Sequence, residues 1–85
     1  MPAAYTLSAH AHSMLLARGI TAAWVERCLA EPERQEPDPV DADLRHAMRK
    51  IPENDGRVLR VVFDARGDVP HVVTAFFDRR LRGAW

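Results

Sequence analysis

GRVLRVVFDARGDVPHVVTAFFD, residues 56–78, is the stretch that decides the fold of this chain. It holds two runs rich in β-branched and aromatic residues, 58–63 and 72–77, joined through a short segment with glycine, aspartate and proline. Such runs are typical of strands in the middle of a sheet, where both faces are covered and polar–apolar alternation is blurred. We therefore predict a central hairpin.

Arg60 and Thr74 are the polar residues that interrupt the two runs. A buried guanidinium without partners is costly, so Arg60 must reach solvent, pair with a carboxylate such as Asp64 or the acidic segment 31–43, or line a site. Whether Arg60 and Thr74 share a sheet face depends on the pairing register, because a one-residue slip turns every side chain over. The sequence leaves that register open.

Upstream of the hairpin, residues 8–31 predict two helices. Ser8 and Thr21 are the expected N-caps, and Gly19 is the expected left-handed terminator of the first helix. Apolar residues recur with helical spacing, which predicts that both helices pack on one face of the sheet. The side chains expected at that contact are Met14, Leu15, Trp24, Val25 and Leu29.

Residues 33–51 connect the helices to the hairpin, and their structure is ambiguous. The segment 33–39, ERQEPDP, fits at best a short edge strand, because it is polar and interrupted by proline. In 41–51, Leu44, Ala47 and Ile51 fit helical spacing, whereas alternation from Leu44 onward fits a strand. Propensity favours the helix, and the following segment 52–56 is a strong turn.

Composition indicates one small domain, residues 1–85, with a helical hairpin over 8–31, a sheet over about 33–78 and a basic tail over 79–85. Twelve basic and twelve acidic residues balance, so nucleic acid is permitted as a partner without being required. The single cysteine, Cys28, is expected to be a buried apolar residue. No secretion signal or membrane-spanning pattern is present, and we expect a cytoplasmic protein.

Four segments carry a resemblance to a known family: LSAHA (7–11), RGI (18–20), GRVLRVV (56–62) and VVT (72–74). Together they resemble a widespread bacterial domain-of-unknown-function family that is similar to ribonuclease toxins of the RelE and BrnT type. This resemblance implies an α+β fold like that of barnase, with two N-terminal helices packed on a three- to four-stranded antiparallel sheet and a strand over 43–51. Met14 stands where that family usually has arginine.

The resemblance also implies a function: metal-independent cleavage of RNA, free or ribosome-bound, restrained by a cognate antitoxin. Such chemistry needs a base, an acid and donors that stabilise the phosphate, roles suited to histidine and arginine. The predicted catalytic residues are His10, which matches the family's helix histidine, His46, Arg60 and Thr74. The predicted RNA-binding residues are Arg18, Arg45, Arg49 and Arg79.

Each of these residues also has an architectural interpretation. His10 can fix the first helical turn, Arg60 can belong to a buried ion pair, and Arg18 can close its helix by bonding terminal carbonyls. His12 and His71 are weaker candidates, and no spacing of metal ligands occurs, so no metal or other cofactor is predicted. The rival hypotheses are a non-catalytic protein- or nucleic-acid-binding module and a subunit that oligomerises through sheet edges. The oligomeric state is left open.

Overall fold

A computed structural model describes residues 4–81 of the chain. The described part has two helices and five strands in an α+β arrangement. In chain order these are β1 (Thr6–Leu7), α1 (Ala9–Arg18), α2 (Ala22–Ala30), β2 (Arg34–Pro37), β3 (Leu44–Ile51), β4 (Arg57–Asp64) and β5 (His71–Phe77). Two 3-10 turns, Pro52–Asn54 and Arg79–Leu81, follow β3 and β5. Neither described helix is long and apolar enough to cross a bilayer.

Both helices begin and end where the sequence predicts. The Ser8 hydroxyl accepts a hydrogen bond from Ala11 N at 3.0 Å, and the Thr21 hydroxyl accepts one from Trp24 N at 3.1 Å. Gly19 ends α1 with φ of 65°, a left-handed conformation that glycine adopts at little cost. These signals lie within a few residues of each boundary, so local sequence is sufficient to fix them.

The sheet order is β1-β5-β4-β3-β2, and four of the strands form the predicted antiparallel arrangement. The prediction of a purely antiparallel sheet is wrong, because β1 runs parallel to β5 at one edge. Thr6 N donates to Pro70 O and Ser8 N donates to Val72 O, both at 2.9 Å. A two-residue strand has no periodicity of its own, so its pairing with a distant segment left no pattern in the sequence.

Residues 44–51 form a strand, as the family resemblance implies and as helix propensity does not. Their neighbours explain the outcome: β3 pairs with β4 along its whole length, with Ala47 opposite Val61. The intervening turn closes through Asp55 and Gly56, whose φ angles are 58° and 68°. Cross-strand burial therefore overrides the helical spacing of the apolar residues.

The predicted edge strand is β2, whose residues are all exposed. Asp38 N donates to Leu44 O. Because hydrogen-bonded and non-hydrogen-bonded pairs alternate along antiparallel strands, Glu36 and His46, two residues further on, also form a hydrogen-bonded pair. Pro37 falls between these two pairs, at a position whose N–H would point away from the sheet. Proline is tolerated there and leaves the edge with one donor fewer.

The two faces of the sheet have different neighbours because side chains alternate along each strand. One face packs on the helices through Ala47, Ile51, Leu59, Val61, Phe63, Val72, Ala75 and Phe77. The opposite face, which we call the far face, carries His46, Met48, Val58, Arg60, Val62, Thr74 and Phe76. A β-bulge at Val73 brings Val72 and Ala75 to the same face despite their odd separation.

The helix layer buries Leu15 and Val25, as predicted, with Trp24 and Leu29 partly buried against the same core. Met14 is only half-buried and lies outside the buried core cluster. Cys28 is inaccessible, and burial raises the pKa of its thiol to about 12. It is therefore an apolar core residue, as predicted. Of the predicted basic tail, only 79–81 lies among the described residues.

Candidate functional site

The four predicted catalytic residues fall on two sides of the sheet. His10 is exposed in the first turn of α1, in the helix layer. Arg60, His46 and Thr74 lie on the far face, which is turned away from the helices. The sheet thus separates His10 from the other three residues. The register also answers the question that the sequence left open: Thr74 and Arg60 share a face.

Arg60 is buried, with 7% of its surface exposed, and its guanidinium is bound from three directions. Its Nε donates to Asp78 Oδ2 at 3.0 Å, and its Nη1 donates to Glu36 Oε1 at 3.1 Å and to His46 Nδ1 at 2.8 Å. We call these residues together with Asp38 the Arg60 cluster: Arg60, Asp78, Glu36, His46 and Asp38. The buried-pair interpretation therefore describes Arg60, with Asp78 and Glu36 as the carboxylates in place of Asp64.

The tautomer of His46 follows from its partners. A guanidinium has donors and no acceptor, so His46 Nδ1 must present its lone pair to Arg60. The proton is then on Nε2, which donates to Asp38 Oδ1 at 2.7 Å. Both ring nitrogens are engaged, and His46 is neutral in this arrangement. It can accept or release a proton for a substrate only after one of these two bonds opens.

Two carboxylates of the Arg60 cluster, those of Asp78 and Asp38, are held ionised by the groups around them. A side-chain hydrogen bond from Arg80, helped by Arg60, lowers the pKa of Asp78 to about 2. Backbone donors, with Asp41 N first, and His46 lower the pKa of Asp38 to about 2. Arg60 is the buried cation of the cluster, and Arg80 remains 81% exposed at its rim. The two guanidiniums therefore offset two of the three carboxylate charges in and around the cluster.

A groove of about 450 Å³, which we call the far-face groove, opens beside this cluster. Its lining residues are Glu36, Pro39, His46, Arg60, Phe76, Asp78, Arg80 and Leu81. Thr74 is half-buried on the same face and does not line this groove. The groove holds carboxylates, a histidine and two arginines, but an incoming phosphate would meet Glu36 and Asp78 as well as the cations.

Arg45 and Arg49 point to the helix side of the sheet, because each is two residues from the buried Ala47 on β3 and side chains alternate along a strand. Arg45 Nε donates to Gln35 Oε1 at 3.4 Å, and Arg49 Nη1 donates to Glu31 O at 2.6 Å, just beyond the end of α2. The buried Arg49 Nε has no partner among residues 4–81. The predicted RNA-binding residues Arg45 and Arg49 therefore lie on the opposite face of the sheet from the predicted catalytic residue His46.

Arg18 and Arg79, by contrast, are brought together at the end of the sheet where β4 begins and β5 ends. They line one groove of about 440 Å³ with Arg57, Phe76 and Phe77, and we call it the basic groove. A smaller pocket of about 250 Å³ continues between Arg57 and Arg79 toward Asp78. Across the part of the chain that the structure describes, neither Arg57 nor Arg79 makes an ion pair.

The prediction that Arg18 closes its own helix is wrong. Its Nη1 donates to Ala75 O on β5 at 2.7 Å, and its guanidinium lies 6.0 Å from the centre of the Phe76 ring. β1 covers only the start of β5, so the carbonyl of Ala75 on the uncovered edge needs another donor. Arg18 supplies it and is held in place at the mouth of the basic groove.

Sequence reasoning missed Arg57. It lies at the first position of β4, directly after the turn glycine, and its alignment with the end of β5 follows from the pairing of Leu59 with Phe77. The signal that could have found it is the register of the hairpin, which places the start of β4 beside the arginines that follow β5. That register depends on the bulge at Val73, which the sequence does not reveal.

The remaining histidines and acidic groups do not form another site of the predicted kind. His12 is exposed on α1, and His71 Nδ1 lies 2.7 Å from Thr6 Oγ1 at the β1–β5 edge. Within residues 4–81, no three histidine, cysteine, aspartate or glutamate side chains are placed to hold a metal ion.

Comparison with known proteins identifies a family and no individual relative. Residues 7–77, most of the chain, match the model of a family described as a domain of unknown function, DUF4258. No curated protein and no solved structure matches the chain significantly. The matched range contains both helices and all five described strands, apart from the first residue of β1.

Proposed function

The chain belongs to the DUF4258 family of domains of unknown function, and we propose that it is an RNA-binding module that holds the phosphate backbone in its basic groove. The observation that carries the proposal is the set of three guanidiniums, Arg18, Arg57 and Arg79, that line one concave surface. Arginine forks match phosphate oxygens and remain charged at every physiological pH. A cationic groove of this kind is where a polyanion binds most favourably.

The charge balance of the two grooves favours binding over catalysis as the first proposal. The lining of the basic groove contains three cations and no carboxylate, and Asp78 borders only the smaller pocket that continues from it, whereas the far-face groove is lined by both Glu36 and Asp78. In addition, the sheet stands between His10 and the far-face residues, so one phosphodiester would not reach both. RNA is proposed as the polyanion because four segments of the sequence resemble a family that is similar to RelE- and BrnT-type toxins.

Fluorescence anisotropy with a labelled RNA tests the proposal directly. Arg57→Ala and Arg79→Ala combined should weaken binding at least about tenfold, since two of three phosphate-binding cations are removed. Arg66→Ala is the control: Arg66 is exposed, and its ion pairs with Asp64 and Asp43 lie at the opposite end of β4. Equal loss in the Arg57 and Arg66 variants, or no RNA binding by the wild type, would contradict the proposal.

Ribonuclease activity of the toxin type is the second candidate. The observation in its favour is that Glu36, His46 and Arg60 meet within hydrogen-bond distance in the far-face groove. Glu36 is half exposed and is suited to accept a proton, His46 to donate one and Arg60 to stabilise the phosphate. Cleavage would first require the bonds around His46 to rearrange.

Incubation of the purified protein with RNA, free and on ribosomes, tests this second candidate. Glu36→Gln and His46→Gln should each abolish cleavage, while the Arg57 variant should lower the affinity for RNA and leave the cutting step intact. The toxin resemblance further implies a cognate antitoxin, and growth arrest on expression of the protein alone is the corresponding test in cells. If the wild type neither cleaves RNA nor arrests growth, the ribonuclease candidate is excluded and the RNA-binding module remains the proposed function.

A further inference from the structure

Phe76 occupies a special position between the two grooves. Among residues 4–81, it is the one residue that lines both the basic groove and the far-face groove. Its side chain lies on the far face, because it pairs across the sheet with Arg60, and it is only half-buried. The Arg18 guanidinium lies over one side of the ring, 6.0 Å from its centre.

We propose that the basic groove selects single-stranded nucleic acid, with one base stacked on Phe76 and the neighbouring phosphates held by Arg18, Arg57 and Arg79. This inference rests on the proposed function, and it adds the class of ligand. An aromatic ring beside a cationic groove provides both a stacking surface for a base and a contact for the backbone phosphates. Stacking accepts any base, so the site would show little sequence preference.

The shape and charge of the groove favour a single strand over a duplex. In a duplex the bases are paired and stacked inside, and only phosphates and groove edges are presented to a protein. A concave groove with three cations engages few of those phosphates and leaves the ring of Phe76 without a partner. In a single strand the base is free to turn out of the chain and cover that ring.

Phe77 is not an equivalent stacking surface. Its ring packs edge-on against Trp24, with the ring centres 5.9 Å apart and the planes at 76°. It also lies on the face of the sheet that contacts the helices. Phe77 therefore forms the floor of the groove, and Phe76 is the ring that a base can approach.

The Arg60 cluster decides on which side of Phe76 each part of a nucleotide lies. Glu36, whose side chain is half exposed, lines the far-face groove and repels a phosphate there. A neutral base avoids this repulsion, and its amino groups can donate to an exposed carboxylate such as that of Glu36, which is half exposed. The phosphate is thus directed to the basic groove and the base to the far face.

Three labelled probes of equal length test the inference on the wild-type protein: single-stranded RNA, the same ribose-phosphate chain without bases, and a blunt duplex. The single strand should bind about tenfold more tightly than either of the others, because only it supplies both a phosphate and a free base. If the abasic chain or the duplex binds as tightly as the single strand, the inference is wrong while phosphate binding stands. If none of the three binds, the proposed function itself fails.

Substitution of Phe76 provides a second measurement. Phe76→Leu should weaken binding of the single strand about tenfold and leave binding of the abasic chain unchanged. Phe76→Trp keeps an aromatic ring and should bind the single strand as tightly as the wild type. Thermal melting of both variants checks that the fold is intact. An equal loss for the abasic chain and the single strand in Phe76→Leu would show that the ring only supports the groove, and would overturn the proposed base contact.

Discussion

Arg60 and Arg57 stand three residues apart on β4, yet their surroundings are opposite. Arg60 is buried on the far face and is surrounded by Asp78, Glu36 and His46. Arg57 is exposed on the other face, at the strand's first position, and has no carboxylate partner among residues 4–81. Because side chains alternate along β4, Arg60 lies on the face where it stabilises the fold, and Arg57 lies on the face where it is available to a ligand.

The contrast follows from the cost of burying charge. A buried guanidinium has to be compensated, because an unpaired charge in a low-dielectric interior costs several kcal/mol. An exposed guanidinium is hydrated and needs no partner, so it can wait for an anion at little cost. The chain has equal numbers of acidic and basic residues, and several of the carboxylates are gathered around Arg60. The basic groove is lined by arginines without a carboxylate among them. The four predictions that follow test this contrast.

The largest effect is expected for Asp78→Asn. Asp78 is 4% exposed and bonds both Arg60 and Arg80, so the substitution leaves a buried guanidinium with only the half-exposed Glu36 as its charge partner. We expect a loss of about 3 kcal/mol in the free energy of unfolding, measured in urea. Arg66→Ala, which removes exposed pairs, should cost no more than about 1 kcal/mol. Similar losses in both variants would mean that Arg60 is not held by its charge partners.

The second prediction concerns acid. The pKa values of Asp38 and Asp78 lie at about 2 in the folded protein, below their ordinary value of 3.8. A lowered folded-state pKa stabilises the fold fully above pH of about 4, and this stabilisation is lost as pH falls toward 2. Urea unfolding at a series of pH values should show this decline, and Asp78→Asn should make it shallower, with the contribution of Asp38 remaining.

Glu53 serves as the control for the acid prediction. Its pKa is also lowered to about 2, chiefly by a side-chain hydrogen bond from Arg27, at an exposed pair far from the Arg60 cluster. Glu53→Gln removes only that contribution, so the decline should persist in this variant. A stability that stays constant between pH 5 and pH 2 in the wild type would contradict both assignments.

The third prediction concerns salt and distinguishes the basic groove from the Arg60 cluster. If Arg18, Arg57 and Arg79 neutralise about three phosphates, log K for single-stranded RNA should fall with log salt with a slope of about −2. Arg57→Ala should reduce the steepness by about 0.7, whereas the control Arg66→Ala should leave it unchanged. A slope near zero for the wild type would exclude the groove as a phosphate site.

The smallest effect is expected for the stability of Arg57→Ala in the absence of RNA. Arg57 is exposed and unpaired within the described part of the chain, so its removal should change the free energy of unfolding by no more than about 0.5 kcal/mol. Thermal and urea unfolding should therefore superimpose on the wild type. A loss close to that of Asp78→Asn would show that Arg57 is structural and would remove the contrast.

How much of this molecule the sequence predicts depends on the range of each interaction. Helix caps at Ser8 and Thr21, the end of α1 at Gly19 and the central hairpin were all predicted, because their signals are contained in a few neighbouring residues. The strand over 44–51 came from family resemblance, since local periodicity favoured a helix. β1 was missed because its partner is 65 residues away in sequence.

The candidate site was predictable in residue type and less so in arrangement. The sequence predicts that the charge of Arg60 needs a partner and that this partner can come from the acidic segment 31–43, which contains Glu36. Asp78 was not, because its position beside Arg60 is a diagonal contact that follows from the pairing of Arg60 with Phe76. Arg57 joined the basic groove through the same register. Contacts across strands cannot be read without that register.

The parallel pairing of β1 with β5 has a consequence for the order in which the protein folds. Short turns link β3, β4 and β5, so these strands can assemble with little loss of chain entropy, whereas Thr6 meets His71 only after a loop of 65 residues has closed. The first strand in chain order, β1, is therefore placed last. Native-state hydrogen exchange should detect this as earlier opening of the Thr6 and Ser8 amides than of those in β4, and as an edge of β5 that is briefly uncovered while the rest of the sheet stays folded.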